Sequence, residues 1–224
     1  MKERGLPFMA DMVRAVLAYI KTKTRRELSS QPPEDVTIMV GIYHPTVLDR
    51  HGDEQPGPEQ YGAYSTNGEW ALKCPYGQPG DRLWVREHWR TYASLDDLAP
   101  SEIQPGAGIQ YEAGGTSVAT LPKKLLGMGK FRPGMFMCRW MSRILLEVVS
   151  IRVERLQDIS EADALAEGIT QLRDDGFGLP DGRHYHAADP RISYLSLWEA
   201  INGDGSVEAN PWVWVVEFKR IANV

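Results

Sequence analysis

The sequence predicts an α+β protein made mostly of strands, a small β-barrel with two to four flanking helices and long loop insertions. Segments with strand-like composition outnumber those with helical periodicity. The two kinds do not alternate regularly along the chain, which argues against a doubly wound parallel sheet. Stretches rich in Gly, Pro, Ser and Asp separate them and indicate long loops.

Length and charge limit the classes of function. The chain has 224 residues, of which 42% are apolar and 25% charged, as in an ordinary globular protein. We interpret it as a single domain, residues 1–224, with insertions at about 29–78, 94–130 and 171–190. The net charge of −5 argues against dependence on non-specific phosphate contacts, because proteins that rely on them are normally basic. A small-molecule partner is therefore expected, with nucleic acid possible through a local basic patch.

The cysteine content indicates a reducing compartment. Cys74 and Cys138 are too few for a disulfide framework and lack the C-x-x-C spacing of a zinc site. The start of the chain has no signal-peptide pattern, and no stretch approaches the roughly 20 apolar residues of a membrane span. We therefore expect a cytoplasmic protein with no membrane partner.

The first half of the chain contains one predicted helix and two predicted strands. Apolar residues recur at helical spacing from Met9 to Ala18. The basic run that follows, 21–26, is expected to leave this helix and enter a strand or turn. The first insertion contains one short strand near 36–40. A turn signal at 78–81 then leads into a half-buried strand, Arg82–Glu87.

The second half contains two predicted strands with two predicted helices between them. Met141–Val153 is a clear β run, and Trp212–Phe218 is a closing strand. Asp158–Gly168 is predicted to be a short helix, capped by Ser160 or by the opening Asp158 and stopped by its final glycine. A further helix is predicted at Tyr194–Ile201.

Most common catalytic motifs are absent. The chain has no Walker loop, no G-x-S-x-G elbow, no H-E-x-x-H and no Rossmann fingerprint. Its histidines are scattered: His44, His51, His88, His184 and His186. Neither a metal site nor a cofactor is expected, because a zinc site needs further ligands near such histidines.

The basic run contains a pair that can carry chemistry. Lys21 and Thr24 meet on one face if the segment is helical and point to opposite faces if it is extended. A lysine held in a dry, electropositive pocket has a lowered pKa and can act as general base for a threonine nucleophile. Spacing alone favours the alternative, a solvated basic run after a helix.

Four motifs occur in a recognisable order. They are Lys21–Arg26, Gly80–Glu87, Asp158–Ile169 and Trp212–Ile221. This ordered set resembles the ASCH domain family, whose fold is a PUA-like β-barrel, although the motifs cover under half of the chain. In its greater length, which includes Arg132-Pro133 and Arg139–Ile144, the chain is similar to phage-borne and metagenomic members of the family.

The resemblance implies an activity. Some ASCH proteins are N4-acetylcytidine amidohydrolases with a catalytic Lys, Thr and Glu. These roles fall on Lys21, Thr24 and Glu167, and the family's basic position falls on Arg26. The implied substrate is an N4-acylated cytidine. Without the resemblance, Glu167 is a solvated carboxylate at a helix end.

Further binding residues are expected around this set. Tyr19 stands where the family has a Gly, so it is expected to form an aromatic wall or lid. Trp89 or Phe136 is expected to stack on the base, with core packing as the alternative. The apolar segment around Phe136 would suit acyl groups larger than acetyl. Glu87 is the second-choice carboxylate.

Two other functions compete with hydrolysis of a nucleoside. PUA-like barrels commonly read RNA or modified nucleic acid, and some ASCH members resemble ribonucleases. The net charge weighs against both, although Lys21–Arg26 and Lys123–Arg143 are locally basic. A salt titration separates them, because oligonucleotide affinity falls steeply with salt, whereas turnover of a neutral nucleoside does not. The sequence does not predict an oligomeric state.

Overall fold

The computed structural model describes residues 1–115 and 127–221. Residues 116–126, within the predicted second insertion and including part of the basic segment Lys123–Arg143, lie outside this range. The described strands are β1 (Glu3–Pro7), β2 (Lys23–Glu27), β3 (Ile38–Tyr43), β4 (Thr46–Leu48), β5 (Glu54–Pro56), β6 (Gln60–Ser65), β7 (Ala71–Lys73), β8 (Arg82–Arg86), β9 (Trp89–Arg90), β10 (Gln110–Tyr111), β11 (Leu145–Arg155), β12 (Thr170–Gln171), β13 (Phe177–Gly178) and β14 (Trp212–Ile221). The described α-helices are α1 (Ala10–Leu17), α2 (Glu161–Ala166) and α3 (Pro190–Asn202).

The main sheet has five strands in the order β1-β8-β11-β14-β2. Its pairs are antiparallel except β1 with β8, which run parallel. The predicted α+β class, mostly strands, is confirmed. The predicted closed barrel is wrong for the part of the chain that the structure describes, because the edge strands β1 and β2 share no backbone pairing there. A side chain spans the two edges instead, since the Arg26 guanidinium donates to the carbonyl oxygen of Pro7 at 2.6 Å.

The first insertion is more structured than expected. In place of one short strand, it forms a three-stranded sheet, β3-β6-β7, and a separate hairpin, β4-β5. Its β6 was missed because it contains Gly62, which ordinarily signals a loop. Here the glycine permits close strand approach, because a Cβ at this position would lie 2.2 Å from the Leu72 carbonyl oxygen. Ala63 and Cys74 anchor this sheet to the main core.

The predicted α1 and α2 are confirmed in type and position. The N-cap of α2 is Ser160, whose hydroxyl accepts a hydrogen bond from the Asp163 amide at 3.1 Å. Gly168 follows this helix with φ of +107°, a backbone conformation that a side chain would strain. A Cβ on this glycine would lie 3.3 Å from the Ala15 side chain. The glycine therefore lets α2 end close against α1.

Two predicted elements begin four residues away from their observed starts, and the first strand was not predicted. Helix α3 begins at Pro190 rather than Tyr194, because Asp189 caps it and proline suits the first helical turn. Strand β11 begins at Leu145 rather than Met141, since a 3-10 turn ends at Met141. Strand β1 was not predicted, because its sequence is largely polar and only one of its residues is buried.

Two hydrophobic clusters hold the elements together. The larger packs α1, α2 and α3 around β11 and β14, with Val213, Val215 and Val216 completely buried. The smaller surrounds Trp84 and Trp89 beside the sheet. None of the described helices combines the length and the apolar character needed to cross a lipid bilayer.

Candidate functional site

A cavity of about 300 Å³ lies where the two edge strands of the main sheet approach each other. Its walls come from the end of β1, the start of α1, strand β2, the end of α2, helix α3 and the segment 133–135. The residues that determine its chemistry are Lys21, Thr24, Arg25, Arg26, Glu27, Arg86, His88, Glu167, Tyr194 and Trp198. The structure therefore brings together all three predicted catalytic residues and Arg26.

Lys21 reaches the cavity from the turn that ends α1. Tyr19 adopts φ of +60°, and the amides of Ile20 and Lys21 both donate to the carbonyl oxygen of Ala15. This turn directs the Lys21 side chain inward, where only 2% of it is exposed. Its Nζ donates to Glu167 twice, to Oε2 at 2.6 Å and to the backbone oxygen at 2.8 Å. The predicted Lys–Glu pair is thus a buried direct contact.

Burial changes the acid–base character of this lysine. Desolvation lowers the pKa of Lys21 below its ordinary value, because the buried ammonium loses its hydration. The Glu167 carboxylate opposes this shift through charge and hydrogen bonding, whereas Arg25 and Arg26 add to it. The net direction is downward, so the neutral amine that a general base requires is more accessible than in an exposed lysine.

Glu167 is fixed at both carboxylate oxygens. It follows the last residue of α2 and is almost fully buried. Oε2 accepts from Lys21, and Oε1 accepts from Arg25 at 3.3 Å. Because Lys21 and Arg25 each hold one oxygen of the carboxylate, it has a defined orientation toward the cavity. It is not the solvated helix-end carboxylate that the sequence also allowed.

A network of charges behind the cavity anchors α2 to the sheet. Asp163 accepts hydrogen bonds from Lys23 at 2.6 Å, from Arg25 at 2.9 Å and from Arg152. Arg25 also pairs with Glu154, and its side chain is completely buried. Burial opposes ionisation of Asp163, but these cations outweigh it and lower its pKa to about 2.

We expect Asp163→Asn to destabilise the fold by about 3 kcal/mol, because a neutral amide no longer balances the positive charge of Lys23, Arg25 and Arg152 around this position. The carboxylate has a folded pKa of about 2, below its unfolded value of about 3.9, so its contribution is complete above pH 4 and is lost as pH falls toward 2. Urea unfolding at several pH values measures this. Asp181→Asn, at an exposed pair with Arg183, is the control and should change stability little. Equal stability of the Asp163→Asn variant and the parent at pH 7 would contradict this role.

Thr24 lines the same cavity from β2. It lies opposite Val216 of β14 and is 4% exposed. Strand β2 begins at Lys23, so Lys21 lies before it. The two side chains are therefore not forced onto opposite faces, as they would be if both residues lay in one extended strand. The structure gives its hydroxyl no hydrogen-bond partner among the described residues. The hydroxyl is therefore available to a molecule in the cavity.

The other predicted binding residues lie outside the cavity lining. Tyr19 is 69% exposed and lies under the Arg220 guanidinium, 5.1 Å from its ring centre. Trp89 is completely buried in the smaller hydrophobic cluster, which agrees with the alternative of core packing. Phe136 is exposed on the surface next to Met135, which does line the cavity. None of these three aromatic rings forms a wall of the cavity.

Glu87 serves a different contact. Its carboxylate is buried and accepts hydrogen bonds from the Arg143 guanidinium, both at 2.8 Å. Burial raises the pKa of Glu87 and the arginine opposes the shift. Glu87 is not part of the cavity lining, so Glu167 is the carboxylate that accompanies Lys21.

Sequence reasoning missed two aromatic residues that α3 contributes to the cavity wall. Tyr194 and Trp198 lie one turn apart on α3, and both are nearly fully buried. The Arg25 guanidinium lies 5.8 Å from the Tyr194 ring centre. Burial raises the pKa of Tyr194 well above its usual value, so its hydroxyl stays protonated. The spacing of Tyr194 and Trp198 is typical of a helix that packs against a core, so the sequence did not indicate that they line a cavity.

Comparisons of the chain with protein-family models, with curated proteins and with solved structures gave no match. Within residues 1–115 and 127–221, no group of three or more His, Cys, Asp and Glu side chains is placed to hold a metal ion. The geometry of the cavity and the motifs of the sequence are therefore the guides to what this protein does.

Proposed function

We propose that this protein is an amidohydrolase of the ASCH, PUA-like type. It cleaves the N4-acyl amide of N4-acetylcytidine and related N4-acylated cytidines and cytosines, giving the cytosine compound and a carboxylate. One observation carries the proposal: the buried Lys21 amine contacts the Glu167 carboxylate at 2.6 Å in a cavity that Thr24 also lines. These groups supply a base, a nucleophile and an acid, so the reaction as written uses no metal or cofactor.

The first half of the reaction transfers the acyl group. Neutral Lys21 takes the proton of the Thr24 hydroxyl as Thr24 Oγ1 bonds to the acyl carbon, and the carbonyl oxygen becomes an oxyanion. Nearby N–H groups of the cavity stabilise that charge. Collapse of the intermediate breaks the bond from carbon to N4. The departing nitrogen receives a proton from the Lys21–Glu167 pair, and the cytosine ring delocalises its electrons.

The second half restores the enzyme. A water molecule loses a proton to Lys21 and attacks the acyl-threonine ester. Lys21 returns that proton to Thr24 Oγ1 as the bond between the acyl carbon and Oγ1 breaks, which releases the carboxylic acid and restores the Thr24 hydroxyl. In the other route consistent with this cavity, the water activated by Lys21 attacks the amide directly and Thr24 only positions the substrate. Both routes have the same balance, one amide and one water giving one carboxylic acid and one amine.

Apolar side chains at the mouth of the cavity support acyl groups larger than acetyl. Met9, Met135 and Ile201 line the cavity and are each about half exposed. Such side chains favour an apolar acyl chain over a polar one, because its burial there removes apolar surface from water. The proposal also places the enzyme in the cytoplasm, where the free thiols of Cys74 and Cys138 remain reduced.

Variants of Thr24 test the reaction and separate its two routes. We expect Thr24→Ser to retain measurable turnover of N4-acetylcytidine, with or without EDTA, because serine keeps the hydroxyl. Thr24→Ala should lower kcat by about 10³-fold or more if Thr24 is the nucleophile, and by much less if water attacks. Release of cytidine is followed by chromatography. Thr22→Ala, at an exposed neighbouring position, is the matched control. Absence of turnover by the parent protein would overturn the proposal.

A further inference from the structure

The charges that line the cavity are not balanced. The lining contains the basic residues Lys21, Arg25, Arg26 and Arg86 and the acidic residues Glu27 and Glu167. Lys21 and Arg25 are both paired with Glu167. Within the described part of the chain, neither Arg26 nor Arg86 has a carboxylate within 4.0 Å. A protein with a net charge of −5 thus keeps two unneutralised guanidinium groups in one cavity.

Arg26 and Arg86 both lie next to Pro7. Pro7 of β1 pairs with Arg86 of β8, and its carbonyl oxygen accepts from the Arg26 Nη2 at 2.6 Å. The Arg86 guanidinium lies 4.6 Å from the Trp84 ring centre, and its Nη1 is 3.4 Å from the Met135 carbonyl oxygen. The strands therefore bring both arginines to the same end of the cavity.

Both side chains retain unused hydrogen-bonding capacity. The Nε atoms of Arg26 and Arg86 are buried, and neither has a partner among the described residues. Their only hydrogen-bond acceptors in this part of the chain are neutral carbonyl oxygens. A half-buried guanidinium in this state is most stabilised by an anionic oxygen, which forms shorter and stronger hydrogen bonds than a carbonyl does.

We infer that Arg26 and Arg86 form a binding subsite for an anionic oxygen group, so that an anionic N4-acylcytidine is a better substrate than the neutral nucleoside. This inference rests on the proposed function. The anion comes from one of two sources, a phosphate on the sugar or a carboxylate at the end of the acyl chain. Glu27 also lines the cavity and Glu167 faces the acyl group, so the anion must lie toward the arginines and away from both carboxylates.

Three substrates test this assignment: N4-acetylcytidine, its 5′-monophosphate and N4-succinylcytidine. We expect one anionic substrate to exceed the neutral nucleoside in kcat/KM by about tenfold or more, as charge-assisted hydrogen bonds provide. The ratio of kcat/KM for this anionic substrate to kcat/KM for the neutral nucleoside should fall toward one in Arg26→Gln and Arg86→Gln. The monophosphate identifies a phosphate subsite, and the succinyl compound identifies a carboxylate subsite. Equal kcat/KM for all three substrates would overturn the inference.

Arg220→Gln is the matched control. Like Arg26, Arg220 lies against an aromatic ring and donates to a carbonyl oxygen, that of Leu17 at 3.3 Å, but it does not line the cavity. Arg220→Gln should leave the ratio of kcat/KM between the anionic and the neutral substrate unchanged. Binding of inorganic phosphate, measured by titration calorimetry, is a readout without catalysis. If no substrate is hydrolysed but phosphate binds and the two cavity variants abolish binding, the proposed function fails and the subsite stands. If hydrolysis occurs without preference for an anion, the subsite fails alone.

Discussion

Lys21→Met is expected to lower kcat/KM for N4-acetylcytidine by about 10³-fold or more, while the protein stays folded. Methionine has a similar length and fills the same buried space without an amine. Glu167 retains its contact with Arg25, so the substitution does not leave the carboxylate without a charge partner. Steady-state turnover and urea unfolding of the same preparation measure the two effects separately.

Lys23→Met is the matched control for this substitution. Lys23 is two residues away and also pairs with a carboxylate, that of Asp163 at 2.6 Å, but it does not line the cavity. The Lys23→Met variant should be somewhat less stable than the parent and should keep the parent's turnover. Comparable turnover by the Lys21 and Lys23 variants would show that the amine at position 21 is not the base.

Glu167→Gln is expected to lower kcat by about 10²- to 10³-fold, because glutamine cannot donate the proton that the departing nitrogen needs. It also removes the charge that supports the Lys21 ammonium. Since the carboxylate raises the pKa of Lys21, its loss should lower that pKa further. The acid limb of the pH profile of kcat/KM should therefore move to lower pH, which a purely structural role would not produce.

Glu87→Gln provides the comparison for Glu167. Both carboxylates are almost fully buried and paired with an arginine, but only Glu167 faces the cavity. The Glu87 variant should be less stable and should keep the parent's pH profile. An unshifted profile in Glu167→Gln, or a shifted one in Glu87→Gln, would reverse the assignment of the two residues.

The residues to which we assign the chemistry were accessible from the sequence, because short motifs encode them. Lys21, Thr24 and Arg26 lie within six consecutive residues, and Glu167 lies in an acidic helix whose N-cap and terminal glycine are readable. Their mutual contact was not accessible in the same way. It depends on the packing of α2 against β2, which joins residues 146 positions apart.

The rest of the site depends on tertiary structure without a local signal. Arg25 looked like one more basic residue of an exposed run, although its side chain is completely buried among three carboxylates. Trp89 was a candidate base-stacking ring and is core, whereas Tyr194, which was named only as the start of a helix, lines the cavity. Large aromatic residues are suited to both roles, so burial pattern alone does not separate them.

The open sheet also had no signature in the sequence. Alternating strands predict a curved β structure, but closure depends on whether the two edge strands pair. In the described residues, β1 and β2 are joined by the Arg26 side chain instead of a backbone ladder, and the cavity occupies that junction. The feature that departs from the predicted barrel is thus the one that creates the site.

The most direct test of the central claim is the rate at which purified protein releases cytidine from N4-acetylcytidine, compared with the rate for Lys21→Met. We predict release by the parent protein and a loss of about 10³-fold in the variant, with both proteins folded to the same extent. Equal rates for the two proteins, or no release by the folded parent, would contradict it.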